Sequence, residues 1–534
     1  MTAHSETPNL SPQRKSLVLI TVDCLRADHC GFYGYPQATT PFLDELAAES
    51  FVVPTAVVAG APTYYSLPAI LASRAPLALG RDVIGLAPGE STLATVLRDA
   101  GYATAAFSAA NPYISARFGY EQGFEVFEDF LDFDAASSHN AVANTSATQN
   151  SATQNSATQN SEDSSTSRSK LNRSLRSTAQ AVGLGSLYDE LYFQYCLRVV
   201  SSKVESMDTL RRFPAADAMV DRALAWLTLR RQPFFLWLHL MDPHSPYYPS
   251  APPYRDLTGR EISATEARYL NEFWNRSDLK PARLKRKRNS VVELYDAGVR
   301  AVDTQMARLV SHLKQSGLWD ECAFVLTADH GEEFLDHGRR YHAPISLHEE
   351  ITRVPLMIRA PASSKKEISK APFSHLHLAP TLLEILDVPA PESFQGTSLW
   401  RRLQQGDLPR GDLQLDDLQL DVPWEDPAIT ECVYGCTNPL RQQDRLGARL
   451  LSARTARHKL VMRIEPGAVE ELYDLEGDPH EERPLAPGVQ MEVRRRLLYT
   501  IRSHMQKISD QRNATMRLKA RLRDLRIELQ TSSR

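Results

Sequence analysis

Short apolar runs rich in β-branched residues recur along the chain, with stretches of helical spacing between them. SLVLITV, from Ser16 to Val22, ends at Asp23 and reads as a strand buried on both faces of a parallel sheet. Thr40 to Ser50 reads as a helix with Thr40 at the N-cap and Pro41 in the first turn. Ser91 to Ala100 is a second helix, and Tyr102 to Ser108 returns as a strand. Ala216 to Arg230 is helical, and FFLWLHL, from Phe234 to Leu240, is a buried strand followed by Asp242, Pro243 and His244. Val292 to Ser316 is a long helix, and CAFVLT, from Cys322 to Thr327, is a strand ending at Asp329 and His330. Val354 to Ile358 reads as a further strand, with a helix after it in PTLLEILDV. Strands alternating with helices predict an α/β fold, a mainly parallel sheet sandwiched by helices.

Four segments stand apart from the body, which spans 16–398. Residues 1–15 are polar and read as a flexible N-terminus. Residues 134–177 are rich in Ser, Thr, Asn and Gln and hold three tandem copies of SATQN; such a tract buries too little apolar surface to offset its ordering entropy and is expected to be a disordered insertion. Residues 399–490 form a smaller C-terminal subdomain. The basic tail, 491–534, places Leu497, Leu498, Ile501, Met505 and Ile508 at helical spacing, as expected of a terminal helix packed on the body.

Composition narrows the class. The chain has 534 residues, 42% hydrophobic and 24% charged, with net charge -4, which offers no general attraction to nucleic acid. Six scattered cysteines make no disulfide framework, and Cys432 and Cys436 share a face only if that stretch is helical. No signal peptide and no transmembrane stretch is legible, so a cytoplasmic enzyme without a membrane anchor is the expectation.

The chemistry gathers where strands end, the edge at which open α/β sheets bind ligands. Asp23, Asp329 and His330, with His244 after a third strand, would form an oxygen-rich site with a nitrogen ligand, suited to one divalent ion: Mn²⁺, Mg²⁺, Ca²⁺ or Zn²⁺. Taken singly, an Asp after a strand is more often a cap or turn residue than a ligand.

Ordered motifs change that weighing. VDCLRADHCGFYGYPQATTPFLDELAAES resembles the opening motif of the sulfatases, within the sulfatase and alkaline phosphatase superfamily. STLATVLRDAGYATAAFSAANPY, FFLWLHLMDPHSPYYP, TADHGEEFLDHG with YHAPISLHEEITRVPLMIRAP, HLAPTLLEILDVPAPESFQGTSL and ELYDLEGDPHEERPLA resemble that family's later stretches, in its order. The resemblance implies an alkaline-phosphatase-like fold and a metal-dependent ester hydrolase. It makes Asp23, Asp329 and His330 metal ligands and His244 a contact to the transferred group. It makes His342 and His337 candidates for that contact or for protonating the leaving group. Arg26 and Asp28 match the opening motif and read as structural, with Arg26 pairing locally with acidic neighbours.

Two departures carry information. Sulfatases place Cys or Ser in a Cys-x-Pro-Ser-Arg pattern that is oxidised to formylglycine; here Thr63 takes that place, with Tyr65 and Leu67 where Pro and Arg would stand. Threonine has no such route. Its hydroxyl, bound to the cation, would serve as both ligand and nucleophile, ahead of an apolar helix (LPAILAS) whose N-terminus favours an anion. Threonine here matches the phosphoethanolamine transferases and lipoteichoic acid synthases of the superfamily, so phosphate or phosphonate esters are favoured over sulfate esters. Ser66-Leu67-Pro68 offers Ser-x-Pro in a frame that moves Ser73 and Arg74 out of register. The second departure is Cys24, where many sulfatases carry a second Asp; its loss removes a carboxylate ligand and leaves Asp23, Asp329, His330 and Thr63 around one metal, with an inert buried Cys24 favoured over a thiol ligand. The expected substrate is a small-molecule, glycan or lipid ester. A phosphoryl-type transferase to an alcohol and a non-catalytic anion-binding protein are the alternatives.

Overall fold

The computed structural model describes residues 14–132, 206–229, 233–362, 370–406, 427–464 and 469–510, with isolated positions between them. The SATQN tract, residues 1–13 and the tail beyond 510 lie outside the described residues. Arg14 and Lys15, expected within the flexible terminus, are tied down: Arg14 donates to the Ala100 carbonyl, and Lys15 donates to the Ile385 carbonyl and to Asp387.

The seven strands of the main sheet are β1 (Ser16–Val22), β2 (Phe51–Val52), β3 (Ala103–Ser108), β4 (Val126–Glu128), β5 (Phe234–Leu240), β6 (Cys322–Ala328) and β7 (Leu356–Arg359). Their spatial order is β2-β7-β6-β1-β5-β3-β4. β1 pairs in parallel with β5 and β6, and β3 pairs in parallel with β4 and β5; β7 alone runs against its neighbours. β1, β5 and β6 are buried along their whole length, as continuous apolar runs require when helices cover both faces. The Val354 to Ile358 run divides at Pro355, which has no N–H for a ladder: Arg353–Val354 pairs with Ala56–Val57 in a small separate sheet, and β7 begins at Leu356.

The helices that position the site are α1 (Pro41–Ala47), α2 (Thr63–Ala72), α3 (Leu93–Asp99), α4 (Ala216–Thr228), α5 (Arg288–Gln315) and α6 (Leu378–Ile385). Thr40 occupies the N-cap position of α1, yet its hydroxyl makes no cap bond and donates to the Asp44 carboxylate instead. Asp303, on α5, accepts from the Phe42 and Leu43 amides in its place. A second, antiparallel sheet contains β8 (Ala428–Val433), β9 (Arg449–Arg454), β10 (His458–Ile464) and β11 (Val469–Asp474). Residues 491–510 are helical, and Leu497 and Ile501 pack on Leu451, Ala453, Leu460 and Leu472 of that sheet. Cys432 lies in a strand and Cys436 in the turn after it, both in an apolar cluster. Among the described residues no helix is long and apolar enough to cross a membrane.

Candidate active site and metal centre

Register decides what meets at the sheet edge. Val22 pairs with Leu240 on one side and with Ala328 on the other. Asp23 and Asp329, the next residues, therefore emerge at one level, and both are fully buried. Asp23, Asp329 and His330 offer ligand atoms all within 4.8 Å of one another. His330 Nε2 lies 3.6 Å from Asp23 Oδ1 and 3.5 Å from Asp329 Oδ2. His330 Nδ1 donates to the Gly331 carbonyl at 2.9 Å, so in the neutral ring the Nε2 lone pair is what faces the carboxylates.

Thr63 is the first residue of α2, so the helix begins one turn earlier than the LPAILAS run indicates. Its Oγ1 is 3.2 Å from His330 Nε2 and 3.5 Å from Asp23 Oδ2. Ser66 is also buried, but its hydroxyl has no hydrogen-bond partner. The structure thus brings Thr63 to the carboxylates.

These donors fit a divalent cation. Two carboxylates, an imidazole lone pair and a hydroxyl converge on buried residues, and Asp329 Oδ2 is buried with no hydrogen-bond partner. Burial opposes ionisation of Asp23, but the field of His244, the His239 hydrogen bond and the field of His330 hold its carboxyl well below the usual range. Burial and the neighbouring charge of Asp23 push Asp329 the other way. Two carboxylates this close resist double ionisation until a cation stands between them.

On the open side, His244 Nδ1 donates to the Ser245 carbonyl at 2.5 Å, and the His244 and His342 rings lie 5.1 Å apart. His342 Nδ1 is 3.2 Å from Glu332 Oε1 and 3.3 Å from Cys24 Sγ. The His330 and His342 ring centroids are 4.6 Å apart. These two histidines thus border the metal pocket.

His337 is placed elsewhere and corrects the expectation that it acts on substrate. Its Nδ1 meets Glu350 at 2.5 Å, and its Nε2 donates to the His480 and Glu481 carbonyls, so both ring nitrogens are committed. It belongs to a separate group with Glu333, His348 and Glu350. Its ring stacks on His348 at 3.6 Å and 20°. Two near-parallel planes that far apart share no point at which one ion could meet both rings.

The sulfatase family model matches residues 15–388 of the chain. The chain belongs to the sulfatase family. Its class is therefore that of the ester hydrolases. Arylsulfatase K of Xenopus laevis is 26% identical over 204 residues, covering 34% of this chain and 38% of that protein. The match thus spans well under half of that relative's length. A protein solved in complex with its substrate, D-glucosamine-2-N,6-O-disulfate, shares the fold at a TM-score of 0.62 and 17% identity, over 93% of this chain and 99% of that one. The phosphonate monoester hydrolase of Silicibacter pomeroyi does so at a TM-score of 0.61 and 19% identity, over 93% and 96%.

Three residues of this sulfatase-family site went unread in the sequence. Asn111 donates to Asp23 Oδ2 at 2.8 Å, and His239 Nε2 lies 3.3 Å from the same oxygen. Thr21, which accepts from the Trp237 indole, holds the far side of the His239 ring at 2.9 Å. Glu332 is fully buried and accepts from the Tyr247 hydroxyl while facing His342. A histidine inside FFLWLHL and the acidic residue directly after DHG were the available signals. Neither type of residue is at home in an apolar interior without a partner. Arg26 pairs with Asp28 and Asp336, the local pairing its neighbours indicate, and so braces the loop that carries Glu332.

Proposed function

We propose that the chain is a divalent-cation-dependent hydrolase of phosphate or phosphonate esters with Thr63 as nucleophile. The observation that carries this reading is the Thr63 hydroxyl at the head of α2, within 3.5 Å of both His330 and Asp23. The hydrate of formylglycine is a geminal diol, whose free hydroxyl can re-form the carbonyl and expel sulfate from a covalent ester. A threonine ester has none and must be cleaved by water at the central atom, which suits phosphorus better than sulfur.

Asp23, Asp329, His330 and Thr63 would hold the cation. When bound, it supplies ionisation of the Thr63 hydroxyl and neutralisation of developing charge. The first-turn amides of α2 and His244 orient the anionic ester. Thr63 oxygen attacks phosphorus, and the bond to the leaving oxygen breaks. That oxygen takes its proton from His342, whose ring is oriented by Glu332. Water then attacks phosphorus and the Thr63 ester bond breaks.

The test is turnover of aryl phosphate mono- and diesters, phosphonates and sulfates by metal-loaded protein. Thr63→Ala is expected to lose at least about 10³-fold in kcat, with Thr63→Ser retaining measurable turnover. Full turnover in a folded Thr63→Ala protein sinks the mechanism. Turnover of sulfate esters alone sinks the substrate preference.

A further inference from the structure

We propose that Cys24 ligates the cation through its sulfur, so that this site prefers a zinc-type ion over Mg²⁺ or Ca²⁺. The inference rests on the metal-centre reading above and names the ion class. Five cysteines are described, all buried and unpaired in disulfides. Cys30 and Cys322 pack in the main apolar core, and Cys432 and Cys436 in a second apolar cluster. Cys24 is in none of the apolar clusters, although it is fully buried. An inert buried cysteine behaves as a small hydrophobe and sits among apolar side chains. Cys24 sits among ligands: its Sγ is 3.2 Å from Asp23 Oδ1 and 3.3 Å from His342 Nδ1. It groups with His330 and His342 on one side, and with Asp23 and His244 on another.

The backbone is shaped to put it there. Cys24 has φ of 63°, in the left-handed region that non-glycine residues adopt at a cost. Tyr295 clamps that conformation, donating to the Cys24 carbonyl at 2.8 Å and accepting from the Arg26 amide at 2.9 Å. A second observation points to a cation at this sheet edge: Asp329 Oδ2 is fully buried with no hydrogen-bond partner, and Asp329 shares His330 with the Cys24 group. Sulfur is a soft donor and imidazole a borderline one. Each group that contains Cys24 joins sulfur to imidazole, and such a set ranks zinc-type ions above the hard cations that an all-oxygen set holds.

The test uses the full chain, stripped of metal by chelator and reloaded with Co²⁺, Zn²⁺, Mg²⁺ or Ca²⁺ alone. Sulfur ligation predicts a sulfur-to-cobalt charge-transfer band in the near ultraviolet for the wild type, absent in Cys24→Ser. Zn²⁺ affinity is expected to fall at least about 100-fold in Cys24→Ser, the upper end of what losing a partner behind a ligand does. Cys24→Asp, a second variant should the first misfold, is expected to gain Mg²⁺ or Ca²⁺ affinity relative to Zn²⁺. Stoichiometric Co²⁺ without the band overturns the sulfur ligand and leaves the Thr63 mechanism standing. Zn²⁺ bound by folded Cys24→Ser as tightly as by wild type does the same. No binding of any of the four ions overturns both readings.

Discussion

At the scale of single residues, the site is a set of electron-pair donors held in place by a second ring of partners. Glu332 shows what that ring does. Its Oε1 lies 3.2 Å from His342 Nδ1 and so orients the ring proposed to protonate the leaving group. Glu332→Gln is therefore expected to slow esters of poor leaving groups by about 100-fold or more, and nitrophenyl esters far less. Equal losses across a leaving-group series would remove His342 from the acid role. His337 and His348 act on stability instead. Burial opposes the charge on His337, but the Glu350 hydrogen bond and charge win, pushing its pKa up to about 9 from 6.5. Burial and the charge on His337 push His348 down to about 2. The contribution of His337 is complete below pH 6.5 and is lost as pH rises through about 9. His348 costs stability below pH 6.5, where the unfolded chain takes up a proton that the folded chain refuses. Melting temperature against pH should fall on both arms, and His337→Gln should flatten the alkaline one. An unchanged alkaline arm in that variant would rule out the assignment.

At the scale of elements, close approach between segments sets the geometry that the donors need. Gly331 separates the candidate ligand His330 from Glu332, and a Cβ there would come within 1.9 Å of the Glu350 carbonyl. Gly331→Ala must push the loop off the Glu349–Thr352 helix. We expect about 100-fold loss of activity, the cost of roughly an ångström of misplacement, with a lowered melting temperature. Wild-type kcat in that variant would mean that the loop is free to shift. The start of α1 makes a similar point about cause. A Thr-Pro pair marks where that helix begins, yet Asp303, about 260 residues away, supplies the acceptor for its first amides.

At the scale of the whole molecule, the second sheet and the 491–510 helix are joined to the body next to the site. Lys459, fully buried on β10, donates to Glu349 and Thr352, and the His480 and Glu481 carbonyls accept from His337. The terminal helix closes the far side of that sheet through Leu497 and Ile501. Leu497→Ala should cost about 2–5 kcal/mol in chemical denaturation, whereas exposed Tyr499→Ala should stay within about 0.5 kcal/mol. Equal effects of the two would show that the helix is not docked by this face.

The sequence by itself determined the class of fold and named the candidate residues for its chemistry. Period and composition are local properties, and buried parallel strands must be apolar throughout, so SLVLITV, FFLWLHL and CAFVLT were legible along with the Asp and His residues that end them. The ordered motifs added the family, and with it the place of Thr63. What the tertiary structure alone decided was which of those residues meet. In-register pairing set Asp23 beside Asp329, and the start of α2 turned Thr63 rather than Ser66 toward them. Chain crossings sent His337 to a structural stack, and brought Asn111, His239 and Glu332 behind the ligands. It also separated Cys24 from the four described cysteines that merely fill apolar space. Such distinctions rest on contacts between residues far apart in the chain. Local pattern carries no information about those contacts, because burial and charge pairing become fixed only when the sheet edge is assembled.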